Sequence, residues 1–234
     1  MKKALFQWSG GKDSSFALFK ALKEWEITGL FTSLSKEYQR ISMHGVREEL
    51  LDLQAESIGL PLHKMYLEED ATHDTYDREL GKHLQPFVDN GIKDLVLGDI
   101  FLEDLRKYRE DQMDKVGLKC HFPLWGGNTH DLYKAFVEAG FKAITVAVND
   151  QLGEEFNGRV LDMDFYNDLP EGVDPCGENG EFHTFVFDGP IFSKPVPFTK
   201  GKKLVREYEF KDADGKMIYS KFHFCDLELA SSDQ

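Results

Sequence analysis

Cysteine is scarce in this chain. Only Cys120, Cys176 and Cys225 occur in 234 residues, far apart and with no CxxC pair. An odd number at such spacing excludes a disulfide framework and a structural zinc site, and points to a reducing compartment. No run approaches the roughly 20 apolar residues of a membrane span. The first apolar stretch, ALFQW from Ala4 to Trp8, is only one strand long. It lacks the hydrophobic region and cleavage site of a secretory signal. A cytoplasmic protein without membrane association is expected. Basic charge is also short: 28 Lys and Arg face 42 Asp and Glu, for a formal charge of -14. Such a surface repels nucleic acid and anionic lipid at long range, so a nucleic-acid partner is disfavoured unless a local basic patch exists. There is no internal repeat and no low-complexity segment.

Apolar residues make up 41% of the chain and nineteen are phenylalanine, enough for a sizeable core in one large or two small domains. Ala4 to Trp8 reads as a buried strand and Ser14 to Trp25 as a helix, with Phe16, Leu18, Phe19, Leu22 and Trp25 on a broad apolar face. Gly29 to Leu34, Leu62 to Leu67, Asp94 to Gly98 and His121 to Trp125 read as further strands. Gly45 to Ile58, Asp74 to Asn90 (disturbed near Pro86) and Glu103 to Val116 read as helices. Alternating strands and helices imply a parallel sheet covered on both faces.

The second half has a different rhythm. A helix is expected over Asn128 to Ala139 and a strand over Lys142 to Val148, with short helical pieces between Gly153 and Pro170. Strands follow at Phe182 to Phe187, Lys203 to Phe210 and Lys216 to Phe224, the last two joined by DADGK, a hairpin signal. The expected architecture is α/β: a doubly wound parallel five-stranded sheet, then a smaller α+β part with antiparallel pairing. The boundary falls near Gly126-Gly127, giving domains 1–127 and 128–234. The terminal SSDQ is expected to fray.

Between the first strand and its helix stands WSGGKDSS. A Walker A loop needs GxxxxGK[ST], and a dinucleotide fingerprint needs GxGxxG; neither is present. What stands there suits an anion. Gly10 and Gly11 allow close backbone approach. Ser9, Ser14 and Ser15 supply hydroxyls, Lys12 a positive charge, and the start of the helix free N–H groups. Asp13 is unusual beside phosphate, and reads either as a helix cap or as a magnesium contact.

Other candidates lie on the same rim, at the carboxyl ends of strands, where doubly wound sheets bind ligands. Leu34 ends the second strand, and SMHGV follows it, offering Ser42 and His44 to a bound ligand. Gly98 and Asp99 end the DLVLG strand: the glycine would admit close approach of a ligand and the aspartate would accept hydrogen bonds. Arg106 and Arg109, three apart on a charged helix, would share a face. Gly172 to Pro190, GVDPCGENGEFHTFVFDGP, is dense in polar groups: Asp174, Cys176, Glu178, Asn179, Glu181, His183 and Thr184. Alternation puts Glu181, His183, Phe185 and Phe187 on one face, and Phe182, Thr184 and Val186 on the other. Glu178, Glu181 and His183 suit positioning ammonia, relaying a proton or binding a cation.

SGGKDS resembles the signature of the PP-loop, or N-type, ATP pyrophosphatases, whose fold is similar to that of adenine nucleotide α-hydrolases. That group cleaves ATP between the α and β phosphates, which implies that the loop holds the departing pyrophosphate. The pattern D-x-C-G-E-x-G-E-F-H-T with a following DGP, together with SMHGV, GDI with trailing arginines and PLWG (Pro123 to Gly127), resembles the diphthine–ammonia ligase family over roughly Lys3 to Phe192. The last forty or so residues carry no matching motif.

The resemblance implies an ATP-dependent amidation. A carboxylate is adenylylated, pyrophosphate leaves, and ammonia displaces AMP, with Mg2+ assisting. The family's substrate is diphthine, a modified histidine of a translation elongation factor, whose trimethylammonium group suits an acidic, aromatic pocket. The expected catalytic residues are Lys12, Asp13, Glu178, Glu181 and His183, with Asp13 at the metal. ATP is expected at Ser9, Gly10, Gly11, Lys12, Asp13, Ser14, Ser15, Leu34, His44, Gly98 and Asp99. The acceptor is expected at Arg106, Arg109, Cys176, Gly177, Glu178 and Thr184. No glutaminase segment is evident, so ammonia comes free or from a partner. The acceptor is a protein or small-molecule carboxylate, and homo-oligomerisation stays open. So do two other readings: a PP-loop enzyme acting on tRNA or a small molecule, and a non-catalytic ATP- or AMP-binding protein.

Overall fold

A computed structural model describes residues 1–41, 45–68, 72–211 and 217–230. The expected DADGK turn, the SSDQ tail, Ser42 and His44 lie outside the described residues. The first half alternates β1 (Lys2–Gln7), α1 (Lys12–Ala21), β2 (Trp25–Ser35), α2 (Glu48–Ile58), β3 (Leu62–Leu67), α3 (His73–Asp89), β4 (Asp94–Val96), α4 (Glu103–Val116) and β5 (Lys119–His121). The five strands form one parallel sheet in the order β3-β2-β1-β4-β5. This is the expected doubly wound α/β arrangement. β1 is central, so it is covered on both faces, and Ala4, Leu5 and Phe6 are all fully buried.

The second half comprises α5 (Thr129–Glu138), β6 (Lys142–Asn149), α6 (Met163–Asp168), β7 (Phe182–Asp188), β8 (Phe198–Lys211) and β9 (Met217–Leu229). Its strands make an antiparallel sheet in the order β7-β6-β9-β8. One apolar core runs between the two sheets, from Phe6 and Leu30 through Phe136 to Phe185 and Leu227. Its joint is aromatic: Phe16 of α1 meets Phe141 edge-on at 6.1 Å, and Phe141 stacks on Phe136 of α5 at 4.9 Å. A second core, with Leu5, Phe31, Met65, Leu84 and Leu95, lies on the opposite face of the parallel sheet. Among the described residues no helix is long and apolar enough to cross a membrane.

Two local expectations are corrected. Trp25 does not end the first helix but begins β2, in register with Lys2 and packed 4.5 Å from the His121 ring. HFPLW is not a strand beyond His121. Pro123 cannot donate to a ladder, and the chain turns instead, Trp125 N donating to Phe122 O at 3.1 Å. α3 continues through Pro86, which falls in its last turn.

Candidate active site

The parallel sheet winds from β1 outward to β2 and β3, then returns to place β4 on β1's other side. Chains leave β1 and β4 in opposite directions, which opens a crevice at their carboxyl ends. A cleft of about 310 Å³ lies there. Its walls are the end of β1, the first turn of α1, the exit of β4, one face of α4 and the segment leading into β7.

The loop after β1 is held from several directions. Ser9 Oγ donates to Ser14 Oγ at 3.0 Å, and Ser14 Oγ donates to the Gly11 carbonyl at 3.1 Å. α1 begins at Lys12, two residues before the expected start, with Gly11 as its N-cap. The amides of Asp13 and Ser14 therefore lie in the first turn without an intrahelical acceptor, and both residues line the cleft. The outer edge of β7 closes on the loop: Val186 N donates to Gly10 O at 2.9 Å, and Lys12 N donates to Thr184 Oγ1 at 2.9 Å. Gln54 of α2 braces this joint. It donates to Gly10 O at 3.0 Å and Val186 O at 2.6 Å, and accepts from Trp8 Nε1 at 3.0 Å.

Gly98 serves packing. A Cβ there would lie 3.0 Å from the backbone N and Cα of Ser14, so only glycine lets the end of β4 press against the first turn of α1. Arg109 Nε donates to Asp99 Oδ1 at 3.0 Å, and its Nη1 donates to Gln7 Oε1 at 3.1 Å. This ties α4 to the ends of β1 and β4.

The segment before β7 forms the opposite wall. Glu181 is buried and its carboxylate accepts from Asp174 N, Asn179 N and Asn179 Nδ2 at 3.0 to 3.1 Å. It clamps a loop that turns at Gly177 and Gly180, both with positive φ. A side chain at Gly177 would strike the Phe182 carbonyl at 2.8 Å. The clamp leaves Glu178 facing the cleft.

Electrostatics divides the roles. Lys12 is buried, at 2% exposure, and paired with Asp13. Burial opposes its charge, but the acids around it, Asp13 first, hold the ammonium above the usual lysine range. Burial, reinforced by the charge of Asp13, pushes the Glu178 carboxyl up to about 8. Burial alone pushes His183 down to about 4, so it is neutral at neutral pH. Burial pushes the Cys176 thiol up to about 12, and Sγ donates to Thr129 O at 3.3 Å.

The structure thus gathers Ser9, Gly11, Lys12, Asp13, Ser14, Gly98, Asp99, Arg109, Cys176, Gly177, Glu178, His183 and Thr184 around one cleft. Five expected residues stand elsewhere. Gly10 lies behind the loop, its φ of 74° and a 2.6 Å approach of Gln54 to its absent Cβ demanding glycine. Ser15 is fully buried on the inner side of α1, its Oγ without a partner among the described residues. Leu34 is a core side chain, because the register of β2 points it inward. Glu181 is turned into its own loop, which its carboxylate clamps through Asp174 and Asn179. Arg106 leans on the Trp125 ring at 4.6 Å and pairs with Glu110 at 2.9 Å, outside the cleft lining. His44 is outside the described residues. The sequence reading missed Gln7, Leu102, Leu105 and Phe182 in the lining, and Gln54 behind it. Gln54 had a signal: a lone amide on the apolar stripe Leu50, Leu51 and Ala55.

Comparison with known proteins agrees with these motifs. A diphthine–ammonia ligase of Danio rerio is 25% identical, across 92% of this chain and 93% of its own length. That of Homo sapiens is 24% identical, across 97% and 91%. That of Schizosaccharomyces pombe is 26% identical across 93% of this chain but only 38% of its own. A solved structure described as a predicted subunit of tRNA methyltransferase from Methanocaldococcus jannaschii covers 61% of this chain and 77% of that one. At a TM-score of 0.39 and 17% identity, the likeness is too slight to bear on fold or function. The family model described as the diphthamide synthase N-terminal domain matches residues 1–120, and that of the C-terminal domain matches residues 128–213. The chain belongs to the diphthamide synthase family.

Proposed function

We propose that this chain is an ATP-dependent ligase that joins ammonia to the carboxylate of diphthine, residues 1–127 holding the nucleotide and 128–234 presenting the acceptor. A carboxylate oxygen attacks the α-phosphorus, the bond to the bridging oxygen breaks, and pyrophosphate leaves. Ammonia then attacks the acyl carbon, AMP departs, and one proton is released. Relatives named diphthine–ammonia ligase support this reading. The observation that carries it is the single cleft in which the first turn of α1 faces Glu178 across buried Lys12.

Each part has a physical task. The amides of Asp13 and Ser14 and the hydroxyls of Ser9 and Ser14 suit the departing pyrophosphate, aided by the positive end of α1. Lys12, permanently charged, offsets anionic oxygens. Glu178, titrating near 8, can hold or release a proton close to neutral pH, which suits the proton shed as ammonia becomes an amide. The cleft also suits magnesium. Its acids crowd one another, Asp13 raising Glu178, and Asp13 keeps 30% of its side chain exposed. A triphosphate-bound magnesium needs only one or two protein carboxylates, and Asp13 is the one this cleft would offer it. The ion would neutralise charge on the departing phosphates.

Thiol transfer, the competing chemistry, finds little support. Cys176 is a protonated, buried thiol at neutral pH, and neither Cys120 nor Cys225 lines the cleft. The test is product analysis. With MgATP, ammonium and diphthine-bearing elongation factor, the chain should form AMP and pyrophosphate in equal amounts. Formation of ADP and orthophosphate would overturn the reading, as would full activity after Asp13→Ala and Ser14→Ala together.

A further inference from the structure

Among the described residues, the lysine and arginine side chains that line the cleft are Lys12 and Arg109. They stand differently. Lys12 is buried beside Asp13 at the start of α1, next to the amides suited to pyrophosphate. Arg109 comes from α4 on another wall and keeps 26% of its side chain exposed.

Arg109 is fixed but not used up. Nε donates to Asp99 Oδ1 and Nη1 to Gln7 Oε1, at 3.0 and 3.1 Å. Two partners at different strand ends hold the guanidinium plane in one orientation. Gln7 is the last residue of β1, and Asp99 follows the Gly98 that packs on Ser14, so both anchors adjoin the SGGKDS loop. A guanidinium has more N–H donors than these two bonds employ. Nη2 donates to no group among the described residues, and it is not a buried orphan, so solvent reaches it. A planar carboxylate is the partner that such a fork fits.

The rest of that wall is apolar. Leu105 and Arg109 are four apart and share a face of α4, and Leu102, the N-cap, lines the cleft with them. An aliphatic stem laid along Leu102 and Leu105 ends at the guanidinium. Asp99 offsets part of the charge of Arg109, which disfavours the dense charge of a triphosphate and leaves hydrogen-bond geometry to select a single carboxylate. Glu178 is close by, since the charge of Asp99 acts on it.

We propose that Arg109 binds the reacting carboxylate of the acceptor, holding one oxygen through Nη2 while the other attacks the α-phosphorus. This rests on the ligase reading: residues 128–234 present the acceptor, and its carboxylate end crosses to α4. Turnover benefits. Amidation replaces one carboxylate oxygen with NH2 and removes the negative charge. The amide oxygen still accepts from Arg109, but both partners are no longer charged, so product is held more weakly than substrate.

The test compares two forms of one ligand, the elongation factor carrying diphthine and the same factor carrying diphthamide. Calorimetry is done with magnesium and an ATP analogue that has carbon in place of the α–β bridging oxygen, so that no reaction occurs. The unaltered chain should bind the acid form about tenfold more tightly than the amide form, the difference between a charged and a neutral hydrogen bond. Arg109→Gln should bring the two within about twofold, and Arg109→Lys, with the charge but not the fork, should keep part of the preference. The ratio is the readout because weakened packing alone would lower both affinities together. Equal binding of the two forms by the unaltered chain overturns the assignment without any variant. So does an Arg109→Gln chain that keeps the full ratio, whether or not its affinity for the ATP analogue falls. If MgATP, ammonium and the factor yield no AMP and pyrophosphate, the ligase reading fails; if they do and the ratio is one, only the role of Arg109 fails.

Discussion

Gln54 donates its side-chain amide to the carbonyl of Gly10 at 3.0 Å, from a position 44 residues along the chain. The same side chain accepts from Trp8 and donates to Val186, so one buried amide joins the SGGKDS loop, the exit of the first strand and the second sheet. Gln54→Leu keeps the volume and strands the Trp8 indole N–H. The expected loss is about 3 kcal/mol, since a buried donor without a partner costs about 1–3 kcal/mol and two carbonyls weaken with it. Urea unfolding would measure it, and ATP affinity should fall with it.

Gly98→Ala tests close packing at the end of β4. The new methyl meets backbone atoms of Ser14 and Asp13 at 3.0 to 3.1 Å, and backbone cannot rotate away as a side chain would. The first turn of α1 must shift. ATP binding should weaken about tenfold, equivalent to about 1.4 kcal/mol, by calorimetry. Unaltered affinity would show that the turn is free to move.

Glu178 makes stability depend on pH in an uncommon direction. Its carboxyl titrates near 8 in the fold against an ordinary 4.5. Between those values the folded chain binds more protons than the unfolded one, so this group lowers stability as pH rises from 4.5 through 8. Glu178→Gln removes the penalty. The variant should be more stable than the parent at pH 9, with the difference vanishing below pH 4.5, in thermal melts without nucleotide. A constant gap across that range would contradict the assignment.

Cys176→Ser should retain pyrophosphate release within about threefold, under 1 kcal/mol of barrier. A thiol pushed up to about 12 is protonated at neutral pH, and iodoacetamide should label it far more slowly than a free cysteine. Loss of all activity in the serine variant would return thiol chemistry to consideration.

What the sequence revealed depended on how local each feature was. SGGKDS was legible because a strand end, a glycine pair and a helix start are consecutive and need no distant partner. The importance of CGENGEFHT was legible from its crowding, but the direction of each acid was not. Glu181 points inward because three donors from its own loop hold it, and strand alternation does not reach a residue that precedes the strand. Arg106 and Arg109, three apart, look like neighbours on a helix. That spacing falls about 60° short of a full turn, enough to send one to Asp99 and the other to Trp125. Leu34 failed for a related reason: the rim of a sheet alternates between core and crevice, and register chooses. Gln54 has partners 44 to 132 residues away, so only its oddity on an apolar stripe was visible.

The bond from Val186 to Gly10 makes a sheet edge the lintel of the SGGKDS loop. Cutting the chain before residue 128 would preserve every letter of SGGKDS while removing Thr184 and Val186, which hold the loop's backbone in place. Such a fragment would carry the signature without the shape, and splitting the gene into two halves should silence nucleotide capture until the second half is supplied in trans.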